Sequence, residues 1–486
     1  MLEGLSCFSV ALLTARHKQA FEHLIRVDHQ EDLCFALWNP SNGRNRLSAL
    51  LTEIIVPERH ERVVRGNVSF TTDYFCRALS LAIAKKCGLA LMHSHLGPGW
   101  QDMSWDDHEA ESGHAGSVAA ATGLPFLGMT IGTDGAWSAR FWKRMATRSY
   151  APVWCESVRV VGNALELTFH PRLRPAPKPV ARLERTIGVW GRRGQAHVAR
   201  LRVGIVGLGS VGSIVCELLA RMGLEYLTLI DFDRVEELNL DRILNATTSD
   251  IGRLKVDVAR TAVECNHTAA CVEVNCVDAS IAQSEGYEAA LDCDVLFSCV
   301  DRHWPRRILN HISYAHLIPV VDGGILVRLR KEHLVGSDWH VHTVGPERRC
   351  LECWGAFDPS VVGLESDGLL DDPSYIRQLD PNDLLLRHES VIPFSTSVAG
   401  LEVLQLIALV LGPLHDLGDQ NYHFVSGTLD RTEGDGCING CLYKTLTSTA
   451  DLVCRPTGRD FSVERARERF RTKTHLAEAD SGLTIK

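Results

Sequence analysis

A short apolar segment followed at once by three glycines constrains this chain more than any other feature. Residues 203–206 are predicted to form a buried strand, and Gly207, Gly209 and Gly212 follow it in G-x-G-x-x-G spacing. The next residues, 213–222, have the apolar periodicity of a helix. Glycines in such a turn let backbone N–H groups approach a phosphate, and the helix N-terminus adds partial positive charge. The segment therefore predicts a nucleotide-binding βαβ unit.

The residues after this unit favour ATP over a dinucleotide. The second predicted strand ends at Asp231, whose carboxylate suits a ribose hydroxyl, and Asp233 follows it. Asn239, Arg242 and Lys255 come next. A dinucleotide has no need of a cationic pair at this place, whereas a triphosphate carries several charges that arginine and lysine neutralise.

This stretch resembles the ThiF/MoeB/HesA family of adenylating enzymes, which are related to ubiquitin-activating enzymes. The motifs that carry the resemblance are the three glycines, D-x-D-x-V at residues 231–235, N-L-x-R ending at Arg242, Lys255, and an S-C-V-D that ends at Asp301. The resemblance implies ATP and Mg²⁺ as cofactors. It implies that Asp301 is the metal ligand and that Arg242 and Lys255 contact the phosphates of ATP. It also implies a partner, a ubiquitin-like protein whose C-terminal glycine is adenylated.

Two further features agree with that family. Arg185 matches an arginine that reaches the ATP of the other subunit, so a homodimer is expected; a solvated helical arginine is the alternative. The cysteines form two close pairs, which suit a structural tetrahedral Zn²⁺. The second pair is C-x-x-x-C, where the relatives have C-x-x-C, and unliganded thiols are the alternative. The four cysteines are Cys350, Cys353, Cys437 and Cys441.

The segment 358–387 is predicted to be acidic and loop-like. In ubiquitin-activating enzymes a nucleophilic cysteine lies in a crossover segment of this kind, but this sequence has none between Cys353 and Cys437. We therefore expect the adenylate to pass to a cysteine on a partner protein, or to one of the cysteines elsewhere in the chain.

The N-terminal residues carry a second constellation. His93 and His95, at the end of an apolar predicted strand, are spaced i, i+2 and so point to the same side. With a carboxylate from the next loop they can hold one Zn²⁺ and leave a position open for water. Asp107 is the expected third ligand, with Asp106 as the alternative.

The H-S-H motif, together with the S-x-x-D motif that begins at Ser104, resembles the JAB/MPN (JAMM) metalloprotease family. Here the two motifs are one residue further apart than usual. The resemblance implies zinc-dependent peptide or isopeptide hydrolysis, with Ser104 stabilising the oxyanion and a glutamate acting as general base. Glu31, just before an apolar strand, is the preferred base, and Glu53 is the alternative. Two buried structural histidines are the other interpretation of the H-S-H motif.

Length and composition fit these assignments. At 486 residues with 45% hydrophobic residues, the chain can form two or three domains with their own cores. We expect an α/β fold throughout. Its parts are a JAB/MPN-like domain at 1–150, a proline-rich linker and pre-strand segment at 151–199, a Rossmann-like adenylation domain with a mostly parallel sheet at 200–455, and a polar tail at 456–486. The net charge of -9 argues against nucleic acid or a membrane surface as a partner. The sequence shows no export signal, so the cytoplasm is the expected compartment.

Together the two halves predict a bifunctional enzyme. It would trim or remove a ubiquitin-like protein with zinc and activate the C-terminal glycine of that protein with ATP. We expect a prokaryotic conjugation pathway, for which antiphage defence is one setting and an E2-like conjugating protein a candidate partner. One alternative is sulfur-carrier processing and adenylation in cofactor or siderophore biosynthesis. A non-catalytic scaffold that binds a ubiquitin-like partner is a further alternative.

Overall fold

The computed structural model describes residues 5–65, 67–330, 333–378, 390–412, 417–432 and 436–482. The chain divides into two compact units. The first comprises Met1–Ala176 with two later segments, Tyr314–Leu317 and Leu442–Arg455. The second comprises Pro177–Ser313, Ile318–Cys441 and Pro456–Lys486.

A nine-stranded mixed sheet organises the first unit. Its order across the sheet is β11-β10-β1-β3-β2-β6-β7-β8-β9, and β4 pairs with β5 in a separate hairpin. The strands are β1 (Cys7–Leu13), β2 (Leu33–Asn42), β3 (Arg46–Ile55), β4 (Arg62–Arg65), β5 (Asn67–Phe70), β6 (Gly88–Ser94), β7 (Leu127–Ile131), β8 (Trp137–Ala146), β9 (Ser149–Trp154), β10 (Ser157–Val161) and β11 (Leu165–Phe169). The helices before and between them are α1 (Thr14–Leu24), α2 (Thr72–Lys85) and α3 (Trp105–Thr122).

Strand alternation places α1 on one face of this sheet and α2 with α3 on the other. Leu33, Phe35 and Leu37 of β2 share a buried cluster with side chains of α2 and α3. The residues between them, such as Cys34, belong to a second cluster that contains α1. Because His93 of β6 is the direct cross-strand partner of Leu33, its side chain lies on the face covered by α2 and α3.

An eight-stranded sheet organises the second unit, in the order β14-β13-β12-β15-β16-β17-β18-β19. The first five strands in this order are parallel, and the last three run antiparallel to their neighbours. The strands are β12 (Arg202–Val206), β13 (Tyr226–Ile230), β14 (Glu273–Val277), β15 (Val295–Ser298), β16 (Val320–Arg330), β17 (His333–Val344), β18 (Asp419–His423) and β19 (Thr428–Thr432).

The remaining helices follow β11 along the chain. They are α4 (Glu184–Ala199), α5 (Ser210–Arg221), α6 (Lys255–Asn266), α7 (Ser284–Leu291), α8 (His303–Ala315), α9 (Leu351–Trp354), α10 (Pro359–Ser366), α11 (Pro373–Ile376), α12 (Ile392–Leu411), α13 (Leu442–Thr445) and α14 (Phe461–Gly482). The strand order reverses between β12 and β15, so the carboxyl ends of β12, β13 and β15 meet at a topological switch point, where open α/β sheets bind ligands. The prediction of a mixed α/β chain with a Rossmann-like parallel sheet is confirmed.

The structure differs from the predicted linker at 151–199. Strands β9, β10 and β11 extend the first sheet to residue 169, and α4 occupies most of what remains. Residues 157–161 and 165–169 have the alternating apolar pattern of strands, which the proline-rich segment after them obscured. The segment 358–387, predicted to be loop-like, contains α10 and α11, each begun by an aspartate N-cap and a proline; residues 379–387 lie outside the described residues.

The long helix α12 is apolar enough to cross a membrane by length and composition, with a mean hydropathy of 1.8 over a window that is half buried. It packs against α5, β16 and β17 of the second unit. Three buried polar residues interrupt its apolar surface: Ser395, Glu402 and Gln405. Thr343 of β17 donates its hydroxyl hydrogen to the Gln405 side chain at 2.8 Å. The helix is therefore part of the core of the second unit.

Candidate active sites

The glycine turn after β12 is tight because two of its residues lack a side chain. Gly207 has a φ of +89°, and a Cβ at that position would lie 2.5 Å from the carbonyl oxygen of Cys299. A Cβ on Gly212 would lie 1.9 Å from the carbonyl oxygen of Gly207. A Cβ on Gly209 would meet nothing within 4 Å. Gly207 and Gly212 thus permit the close packing of the turn, whereas Gly209 borders open space that a ligand can approach.

Asp231 ties this turn to the end of β13. Its carboxylate accepts the N–H of Leu208 at 2.6 Å and the N–H of Asp233 at 2.7 Å. Burial raises the pKa of Asp231, while the nearby Lys255 and these two hydrogen bonds oppose the rise. Each carboxylate oxygen keeps a further lone pair, so Asp231 can still accept a hydroxyl hydrogen bond.

Lys255 supplies the cation beside these acids. It begins α6, where its N–H donates to the carbonyl oxygen of Asp233 at 2.9 Å and its Nζ donates to the Asp233 carboxylate at 2.8 Å. Burial alone would lower the pKa of Lys255, but the carboxylates of Asp231, Asp233 and Asp301 outweigh burial and raise it. The lysine is therefore a fixed positive charge at the switch point.

The other predicted nucleotide and phosphate residues lie on the loop after β13 and on α4. Asn239 accepts the N–H of Glu236 at 3.0 Å and so shapes the turn that carries Arg242. The Arg242 guanidinium pairs with Asp241 at 2.8 Å and donates to the carbonyl oxygen of Leu238. Arg185 is exposed on α4, as in the alternative of a solvated helical arginine.

Asp301 is exposed just beyond β15, and the residues after it are hydrogen-bonded to the segment 358–387. The buried Glu365 of α10 accepts the N–H groups of His303 and Trp304, at 3.2 and 2.6 Å, at the N-terminus of α8. Arg302 forms a bidentate pair with Asp371 at 2.7 and 2.9 Å. The sequence reasoning missed both acids, because their partners lie more than 60 residues away.

The four cysteines of the two pairs converge in the second unit. Their sulfur atoms all lie within 4.8 Å of one another. The sulfurs of Cys350 and Cys441 are 3.7 Å apart, and the N–H of Cys350 lies 3.2 Å from the sulfur of Cys437. Two sulfurs on a tetrahedral Zn²⁺ with bonds of about 2.3 Å stand roughly 3.8 Å apart. The cluster therefore has the donor atoms and the spacing of a four-thiolate zinc site.

The two histidines of the first unit converge with one carboxylate. Nε2 of His93 is 3.3 Å from Nε2 of His95, and these nitrogens lie 3.1 and 3.2 Å from the two carboxylate oxygens of Asp107. Asp106, the alternative ligand, is not in this cluster. Partial burial would raise the pKa of Asp107, but hydrogen bonds with the two histidines and the N–H of Ser104 outweigh it and hold the pKa well below its usual range.

A capping box at the start of α3 places Asp107 and Ser104 together. Ser104 is the N-cap: its hydroxyl oxygen accepts the N–H of Asp107 at 3.1 Å, and its own N–H donates to the Asp107 carboxylate at 2.8 Å. The hydroxyl hydrogen of Ser104 remains available to another acceptor. The S-x-x-D motif thus begins the helix and places the candidate metal ligand Asp107 beside the hydroxyl of Ser104.

Strand register distinguishes the acids near this cluster. Leu33 faces His93 at the ends of β2 and β6, and the same register, continued two residues beyond both strands, predicts that Glu31 lies near His95. Asp32 lies on the other face, where it is buried and pairs with Arg26 and Arg62. Glu53 lies opposite Leu37, which is four residues, or about 14 Å, along β2 from Leu33. The Glu53 carboxylate pairs with Lys85. The geometry favours Glu31 over Glu53.

We predict that alanine at two of the turn glycines has different effects. Gly212→Ala should destabilise the second unit by about 3 kcal/mol, because its Cβ would overlap a backbone oxygen that cannot move away. Gly209→Ala, the matched control, should fold normally and weaken nucleotide binding, because its Cβ enters open space. Thermal unfolding and ATP titration of both variants measure this. Equal unfolding temperatures for the two would contradict the packing argument.

A second prediction concerns the cysteine cluster. Cys350→Ser with Cys353→Ser should lower the zinc content by one ion per chain and destabilise the second unit by several kcal/mol, because two thiolate ligands are lost. Cys265→Ser with Cys271→Ser, two exposed cysteines of the same unit, is the matched control and should change neither quantity. Elemental analysis and thermal unfolding give the readout. An unchanged zinc content in the first variant would refute the site.

The comparisons with known proteins concern the second unit. The profile of the ThiF family matches residues 183–433. Molybdopterin-synthase adenylyltransferase of Escherichia coli (strain K12) is 32% identical over 133 residues, which are 27% of this chain and 53% of that protein. The SAMP-activating enzyme E1 of Haloferax volcanii is 31% identical over 135 residues, 28% of this chain and 49% of that protein.

The matching region thus spans about half the length of these relatives. Among solved structures, E. coli MccB with ATP aligns with a TM-score of 0.42 and 16% identity, over 55% of this chain and 74% of that chain. The family profile covers just over half of the 486 residues. The chain therefore belongs to the ThiF family.

Proposed function

We propose that the second unit adenylates the C-terminal glycine of a ubiquitin-like or sulfur-carrier protein, and that the first unit is a zinc hydrolase of the JAB/MPN type acting on the same class of protein. The observation that carries the adenylation is the meeting of the glycine turn, Asp231, Lys255 and Asp301 at the carboxyl ends of adjacent parallel strands. Membership of the ThiF family supports it.

The adenylation joins a carboxylate to the α-phosphate of ATP. A carboxylate oxygen of the partner's terminal glycine attacks the α-phosphorus, the bond from that phosphorus to the bridging oxygen breaks, and pyrophosphate leaves with the electron pair. The N–H groups of the glycine turn and the positive end of α5 bind the phosphates, and Lys255 with Arg242 neutralises charge that develops on them. Asp301 would hold Mg²⁺, which shields the phosphates when bound.

The names of relatives support the class of partner. One relative is a SAMP-activating enzyme and another a molybdopterin-synthase adenylyltransferase. A further relative, from Drosophila willistoni, is a ubiquitin-like modifier-activating enzyme that is 30% identical over 163 residues, which are 31% of this chain and 38% of that protein. We infer conjugation with an E2-like acceptor as the primary pathway, in the cytoplasm, and sulfur transfer as the alternative.

The observation that carries the hydrolase is the spacing of His93, His95 and Asp107. Ligand atoms on a tetrahedral Zn²⁺ with bonds of about 2.0–2.1 Å stand roughly 3.4 Å apart, close to the 3.1–3.3 Å between these side chains. Three protein ligands and an open fourth position are the arrangement of catalytic rather than structural zinc. Zn²⁺ bound here would lower the pKa of its water to about 7.

The remaining roles fall to residues of this chain. Glu31, two residues before the cross-strand partner of His93, accepts the proton of the attacking water and returns it to the leaving amine. Ser104 has already accepted the N–H of Asp107, so its hydroxyl hydrogen is free to donate to the oxyanion of the tetrahedral intermediate. Hydrolysis after the terminal glycine would expose or release the carboxylate that the second unit adenylates.

The adenylation is tested by ATP–pyrophosphate exchange with a candidate ubiquitin-like protein that ends in glycine. Asp301→Ala, Arg242→Ala and Lys255→Ala should each lower the exchange rate about 100-fold or more, because each removes a metal or phosphate contact. If the active form is a homodimer, Arg185→Ala should also fail, and mixing it with Asp301→Ala should restore part of the activity. Arg431→Ala, an exposed arginine of β19, is the matched control. Exchange that persists in all three variants would refute the site.

The hydrolase is tested by cleavage of a fusion that extends the same ubiquitin-like protein beyond its glycine. His93→Ala with His95→Ala should lose one zinc and all cleavage. Glu31→Gln should keep the zinc and lower the cleavage rate at least about 100-fold, because the ligands remain but the base is gone. Glu53→Gln, which changes an acid paired with Lys85, is the matched control and should cleave normally. Loss of cleavage in that control, with Glu31→Gln active, would reverse the assignment of the base.

A further inference from the structure

Helix α14 lies outside the residues that the family profile matches, yet it packs against the loops of the nucleotide site. The profile ends at residue 433, and α14 begins at Phe461. Arg465, in the second turn of α14, donates to the backbone carbonyl of Asp371. The Asp371 carboxylate in turn holds Arg302, the residue after the candidate metal ligand Asp301. This contact anchors α14 on the β15 side of the site.

Two further contacts follow within the next five residues of α14. The guanidinium of Arg467 donates to the backbone carbonyl of Asp278 at 3.4 Å and lies 3.8 Å from the Asp278 carboxylate. The Phe470 ring stacks with the guanidinium of Arg234, whose central carbon is 4.2 Å from the ring centroid. A Cβ on Gly252 would lie 3.4 Å from the same ring. The helix therefore contacts the loop after β14 and the loop after β13.

These contacts lie along the path that a bound nucleotide would follow. Its phosphates would bind at the glycine turn after β12, and Asp231 at the end of β13 suits the ribose. The strands stand in the order β14-β13-β12-β15, so a nucleotide extended in this direction has its base one strand further on, at the carboxyl end of β14. Asp278 directly follows β14. The base would therefore lie beside the segment that Arg467 contacts.

We propose that α14 forms the outer wall of the site for the adenine base and that Arg467 contacts the base. The inference rests on the proposed ATP-dependent adenylation. The Arg467 side chain is 51% exposed, and its 3.8 Å pair with Asp278 is loose, so its planar guanidinium can turn onto the face of a purine. Arg465 and Phe470 fix the helix on either side of Arg467. Membership of the family does not supply this wall, because α14 lies beyond the matched residues.

The test measures the binding of ATP, AMP and tripolyphosphate to the full chain. Arg467→Ala removes the guanidinium, and a second variant, Arg467→Ala with Phe470→Ala, also removes the anchor on Arg234. Both variants should bind ATP and AMP about 10-fold more weakly, because the base loses a cation–π contact. Their affinity for tripolyphosphate should not change, because this ligand has no base and binds at the glycine turn. Titration calorimetry gives the affinities, and thermal unfolding reports whether each variant is folded.

Arg469→Ala is the matched control. It removes the same charge from an exposed position of the same helix, and two residues along a helix with 3.6 residues per turn place it on the opposite side from Arg467. This variant should bind all three ligands as the unchanged protein does. An unchanged AMP affinity in Arg467→Ala would overturn the inference, and so would an equal loss of affinity for tripolyphosphate. The single variant decides the test if the double variant does not fold.

Two outcomes separate this inference from the proposed function. The variants can lose affinity for ATP and AMP as expected while the unchanged protein supports no pyrophosphate exchange with ubiquitin-like proteins. That result would refute the adenylation of such proteins and leave the wall of the base site standing. Unchanged protein that binds no ATP would refute both.

Discussion

The nucleotide site depends on one buried carboxylate, that of Asp231. Its two oxygens accept N–H groups from opposite sides, Leu208 in the glycine turn and Asp233 beyond β13. Hydrogen bonds to an ionised group are about twice as strong as neutral ones, so the link between the two strand ends is firm. The cost of burying this charge is partly offset by Lys255, which is itself held by Asp233. Loss of the Asp231 carboxylate would remove the hydrogen bond that holds the glycine turn. It would also remove one of the negative charges that stabilise Lys255.

In both units a buried acid on a neighbouring turn or helix holds the segment that carries a candidate metal ligand. In the second unit, Glu365 and Asp371 hold the residues that follow Asp301, so the crossover segment and the candidate metal ligand are mechanically joined. In the first, the Glu111–Arg140 pair lies one helical turn below Asp107. In each case the holding acid is more buried than the candidate ligand beside it in the chain.

Neighbouring acids in the first unit have different environments for a simple reason. Side chains alternate along an extended chain, so Glu31 and Asp32, which directly precede β2, are expected to point in opposite directions. Asp32 meets two arginines, Arg26 and Arg62, which tie β2 to the end of α1 and to β4. An acid so paired serves the fold, whereas the neighbouring Glu31 is half buried.

The sequence by itself determined the features that depend on short spacing. The strand–turn–helix around Gly207 to Gly212, the acid at Asp231, the H-S-H motif and the cysteine pairs are local patterns, and each lies where the pattern predicts. The predictions for 151–199 and 358–387 were wrong in part. The strand alternation in the first segment and the helix caps in the second are brief and lie beside prolines and acids. Tertiary structure alone decided the rest: that β15 lies beside β12, that Glu53 lies opposite Leu37, four residues along β2 from the partner of His93, and that Arg140 reaches both Glu111 and Thr130. These contacts join residues 10 to 100 positions apart, and strand order, which local spacing does not encode, brings them together.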